Sequence, residues 1–76
     1  MILITDLNAA KKISTLMLDT FNKLDESIAA VRENCSAEEA AAYQKAIGRV
    51  VGPIVLDVLE PLYEQHPVLK PHNWDD

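Results

Sequence analysis

Seventy-six residues, 49% of them hydrophobic, with a net charge of −5, make at most one domain and are too apolar for a disordered chain. Lys and Arg form no cluster beyond the Lys11-Lys12 pair, so direct nucleic-acid binding is not expected, and no stretch reaches the roughly 18 apolar residues that cross a bilayer. The lone Cys35 excludes an internal disulfide framework. The apolar opening Met1-Ile2-Leu3-Ile4 is cut off by Thr5-Asp6 without a basic leader, so it does not read as a signal peptide and a cytoplasmic location is expected.

Two glycines, few aromatics and many Ala, Leu, Ile, Val, Glu and Lys predict helices rather than a sheet. From Leu7 onward the apolar residues Ile13, Met17, Phe21, Leu24, Ile28, Val31 and Cys35 recur at spacings of three and four, the rhythm of helices packed at a shallow angle. Thr5 or Asp6 can cap the first free N–H groups, and neither Gly nor Pro interrupts before residue 48. A helix over about residues 6–34 follows. Asn34 tolerates the left-handed conformation that ends helices. Ser36-Ala37-Glu38-Glu39 then forms a capping box, with acids where the helix dipole is positive, so a second helix begins after a short turn. Two long helices joined by a short turn are antiparallel neighbours.

The second helix carries Gly48, Gly52, Pro53 and Pro61 inside its pattern. A proline in a regular interior costs about 3 kcal/mol. One reading breaks the helix at Gly52-Pro53 into a three-helix protein. The other keeps one bent helix over about residues 36–64, and spacing favours it. Arg49, Pro53, Asp57, Pro61 and Glu64 follow at intervals of four and three, so both prolines fall on a polar stripe where water can satisfy the carbonyls of Arg49 and Asp57. Residues 65–76 hold Pro67 and Pro71 and read as an extended tail.

Between Ile47 and Leu62 lie Val50, Val51, Ile54, Val55, Leu56, Val58 and Leu59, covering well over half the helix circumference. One neighbouring helix cannot hide them, and each aliphatic left wet forfeits roughly 1.5–3 kcal/mol. The expected fold is therefore all-α: an antiparallel helical hairpin with a bent second helix, dimerising into a four-helix bundle. Val51, Val55, Leu59 and Leu62 are its candidate packing and dimer residues. Gly48 and Gly52, four apart, are candidates for a close helix crossing.

The candidates for chemistry are few. Asp57, Glu60 and Glu64 form an acidic patch that could meet a basic partner or, with His66 or His72, imitate a metal site. No inward Glu-x-x-His pair occurs, so the patch reads first as a solvated face and no metal or cofactor is expected. His66 and His72 read as solvent-facing loop residues, and Cys35 as a small buried residue on the seam. Ser14, Ser27 and Ser36 show no base beside them. Tyr43 and Tyr63 fit the seam with hydroxyls at the bundle edge. Trp74 either folds back over the hairpin end or anchors a partner.

The stretch Tyr43-Gln-Lys-Ala-Ile-Gly48-Arg49-Val-Val-Gly52, with Leu59-Glu-Pro61-Leu62-Tyr63 and His66-Pro67-Val-Leu69-Lys70-Pro71, resembles a group of short, uncharacterised proteobacterial proteins. The resemblance covers residues 39–71 and implies a bacterial cytosolic origin without implying an activity. Three readings of function stand. The first is a non-catalytic interaction or regulatory homodimer, with Trp74 and the Asp57, Glu60 and Glu64 face free for a protein partner. The second is a small-ligand module with a small apolar pocket between hairpins near Gly48 and Gly52. The third is a metal protein or enzyme using Asp57, Glu60, Glu64 and His66.

Overall fold

The computed structural model describes residues 3–72 and 74. Helix α1 (Leu7–Asn34) turns at Cys35-Ser36 into α2 (Ala37–Pro53), which passes through a π-helical stretch (Ile54–Leu59) into α3 (Glu60–Gln65). A 3₁₀ turn (Pro67–Leu69) follows. The helix ends form as their chemistry dictates. Asp6 caps α1 by accepting from the Ala9 N–H at 2.8 Å. Ser36 and Glu39 form the reciprocal capping box, both hydrogen bonds 3.1 Å long. These bonds hold the Glu39 carboxyl below the ordinary glutamate range, chiefly through the Ser36 backbone N–H and then its hydroxyl.

One expectation at this turn fails. Among the described residues none outside glycine adopts a positive φ. Asn34 instead stays helical and donates from Nδ2 to the Ala30 carbonyl at 2.8 Å, and the chain leaves α1 through an extended Cys35. That places Cys35 at the open end of the hairpin, where it is exposed rather than buried on the seam. The seam rhythm ends before the turn because no residue of α2 lies beyond Ala37 to cover it.

The arms are antiparallel. Arg32 Nη2 donates to Gln44 Oε1 at 3.3 Å, the Ser27 and Tyr43 hydroxyls lie 2.8 Å apart, and those of Ser14 and Tyr63 lie 2.6 Å apart. From Arg32 and Ser27 down to Ser14 on α1, the partner moves from residues 43–44 up to residue 63 on the second arm. The interior is thin. Ala10, Ala40, Ile47, Leu59, Leu62 and Tyr63 are buried together with Ser14, and among the described residues only Leu59 and Leu62 are large side chains sealed completely. To this interior α1 contributes two small residues, Ala10 and Ser14.

The prolines do not break the second arm; they change its pitch. Pro53 has no N–H for the Arg49 carbonyl, and the next donor, Ile54, bonds the Val51 carbonyl three residues back. The ladder then widens, and the Glu60 N–H reaches the Val55 carbonyl five residues back. The wide turn lies just before Pro61, whose ring presses on the carbonyl four residues earlier in a regular α-helix. The continuous arm agrees with the one-helix reading, but a π turn was not expected. One extra residue in the turn rotates everything after it by about 100°. The inward step therefore runs from Ile54 to Leu59, while Leu56 is left 61% exposed.

Among the described residues no helix is long and apolar enough to cross a membrane. The hairpin measures 44 × 23 × 19 Å, with a radius of gyration of 14.7 Å. A compact 76-residue domain has about 11 Å.

Candidate functional site

At the closed end of the hairpin, three elements converge on Tyr63. Its ring is buried, its hydroxyl meets Ser14 on α1, and Trp74 presses edge-on against it with ring centroids 5.0 Å apart at 79°. The segment after α3 is thus not an extended tail. The 3₁₀ turn at Pro67–Leu69 reverses it, and Trp74 folds back over the hairpin end, half-buried. Tyr63 also departs from expectation. The π turn rotates it inward, so its hydroxyl sits in the interior instead of at the bundle edge; Tyr43, before the π turn, remains half-buried with its hydroxyl on Ser27. The Ser14–Tyr63 pair lies among closed-off groups and has no base beside it. It pins the two arms together.

A second convergence was invisible in the sequence. Gln65 Oε1 accepts from the backbone N–H groups of Leu3 and Ile4 at 3.1 and 3.2 Å, and His66 Nε2 lies 2.7 Å from the Ile4 carbonyl. A carbonyl only accepts, so Nε2 carries the proton and donates. Residues 3–4 are thereby clamped to the end of α3. His66 is a half-buried strap residue and not the solvent-facing one expected, because it terminates α3 where the incoming chain crosses; His72 is exposed. Gln65, the last residue of α3, had no role assigned from sequence. Nothing local announces a glutamine that bonds residues more than sixty positions away.

Asp57, Glu60 and Glu64 are all exposed, and His66 is committed to the Ile4 carbonyl. Among the described residues no three His, Cys, Asp or Glu side chains gather where they could hold a metal ion. Glu60 and Glu64 line one open cleft of about 430 Å³ with Tyr63, Pro67, Lys70 and Trp74. A second groove, also about 430 Å³, is mostly apolar and is lined by Leu18, Phe21, Asn22, Val55, Leu59, Pro71 and Trp74.

The packing candidates separate. Leu59 and Leu62 are consumed by the hairpin's own interior, while Val51 and Val55 are half-buried. Gly48 is exposed and Gly52 half-buried, and a Cβ placed at either meets nothing within 4 Å. No other helix of this chain approaches them. Much apolar surface stays wet: Leu7, Leu16, Val50, Leu56 and Val68 are all more than 40% exposed. Comparison with protein families, with curated proteins and with solved structures finds no match to this chain.

Proposed function

We propose that this chain is a small non-catalytic interaction protein that works as a homodimer, two hairpins closing one four-helix core. The observation that carries this reading is surface area. The chain exposes 5582 Å². A folded monomer of its 8.4 kDa mass is expected to expose about 4600 Å². The excess, about 1000 Å², is close to the roughly 800 Å² that each partner buries in a stable interface. The exposed aliphatics and the thin interior favour the same reading. The exposed Asp57, Glu60 and Glu64 face remains free for a further, basic partner of the dimer.

Sedimentation velocity from about 1 to 100 μM tests the proposal. A species of twice the 8.4 kDa chain mass is expected. A well-folded monomer that unfolds cooperatively at every concentration would refute it. The apolar groove under Trp74 supports a second reading, a small-ligand module. Its volume is in the range that takes a small molecule. Thermal shift against a panel of uncharged metabolites tests this, since a ligand at 100 times its Kd adds about 2.7 kcal/mol.

A further inference from the structure

Two flanks run along the hairpin, one on each side of the seam between its arms, and they differ in charge. The first is marked by the Ser27–Tyr43 hydroxyl contact. Steps of three or four residues from Ser27 reach Ile13, Leu16, Thr20, Leu24 and Val31 on α1; from Tyr43 they reach Ala46, Val50 and Pro53 on α2. The residues so reached are uncharged and span about 27 Å along α1; steps of four also meet Lys23, back from Ser27, and Glu39, back from Tyr43, whose carboxylate accepts from the Ser36 N–H at the turn. Leu16 is 52% and Val50 50% exposed on it. The second flank is marked by the groove at Leu18 and Val55. The same stepping from Leu18 meets Lys11, Asp25 and Arg32, as on an ordinary solvated surface.

We infer that a second copy of this chain docks on the first flank, strip against strip about a two-fold axis; this rests on the homodimer reading above. In such an isologous contact the uncharged residues of the strip meet one another, and Glu39, at the turn end, is already hydrogen-bonded to Ser36, so association desolvates little charge. Its hydroxyls are prepared for dehydration. Ser27 Oγ donates to the Leu24 carbonyl, so the Tyr43 hydroxyl donates to Ser27, and neither donor is orphaned when water leaves. The surplus of about 1000 Å² matches what one protomer of a stable dimer buries, which favours a second copy over a peptide-sized occupant. Gly48 and Gly52 lie outside the strip and stay solvated in this arrangement.

Sedimentation velocity on the full chain decides the assignment. Leu16→Glu and Val50→Glu should each raise the dimer Kd at least about tenfold, while Lys11→Glu and Gly52→Leu on other faces should change it less than about threefold. Because Leu16 and Val50 are half exposed, far-UV circular dichroism of both variants should retain the wild-type helix content. The uncharged Val50→Thr gives a milder weakening in the same direction. Unchanged Kd in Leu16→Glu and Val50→Glu, with dissociation in Gly52→Leu, moves the interface to the glycines and overturns the assignment while leaving the homodimer. Equal weakening by Lys11→Glu overturns it as well. A wild type that stays monomeric at about 100 μM removes the homodimer reading and this one together.

Discussion

Tyr63→Phe deletes one oxygen from the interior and leaves the Ser14 hydroxyl, 2.6 Å away in the wild type, without its partner. Both residues are buried, Ser14 at 5% and Tyr63 at 3% exposure, so water cannot replace what is removed. A net hydrogen bond contributes about 0.5–1.5 kcal/mol, and a buried group left unsatisfied costs about 1–3 kcal/mol. Serine in a helix can turn its hydroxyl to the carbonyl four residues back, which holds the expected loss for Tyr63→Phe to about 1–2 kcal/mol. Ser14→Ala should cost about as much, since it strands the tyrosine hydroxyl. The double variant removes both polar groups together, so its loss should fall short of the sum by about 1 kcal/mol. Urea denaturation at one fixed protein concentration reads these differences as midpoint shifts of roughly 0.3–2 M. If the double variant equals the sum of the singles within about 0.3 kcal/mol, the two hydroxyls are not coupled and the closed end is not pinned as described.

Two further perturbations test the helix boundary and the strap. Ser36→Ala should destabilise the chain by about 1 kcal/mol and return the Glu39 carboxyl to its ordinary range, measured by NMR titration. Glu39's folded pKa is depressed, so its contribution is present above the unfolded pKa and lost as pH falls through the folded value. The wild type should therefore lose more stability than Ser36→Ala as pH drops below about 4.3, and an identical acid limb in the two proteins would contradict the cap. Gln65→Leu keeps the bulk of the side chain but removes the acceptor for the Leu3 and Ile4 amides. Those two amides should exchange with solvent several-fold faster at a cost of about 1 kcal/mol, and unchanged exchange would show that the strap is held by other means.

Local chemistry alone determined where the helices of this protein start and where the first one stops. Asp6, the Ser36–Glu39 box and the uninterrupted run to Asn34 act over three or four residues, and such short-range hydrogen bonds form whatever the rest of the chain does. The antiparallel hairpin follows from a two-residue turn. The continuity of the second arm was legible too, because both prolines fall on one stripe. The π turn was not. A proline's missing N–H fixes that a carbonyl loses its partner, but it does not by itself fix the pitch that compensates. That choice rotated Tyr63 inward, turned Leu56 out and assigned Leu59 and Leu62 to the hairpin interior. Contacts between distant residues were likewise decided only by tertiary structure: Trp74 on Tyr63, and Gln65 and His66 on residues 3–4. Periodicity places a residue on a face, but which face is covered, and how completely, depends on what the folded chain brings opposite it.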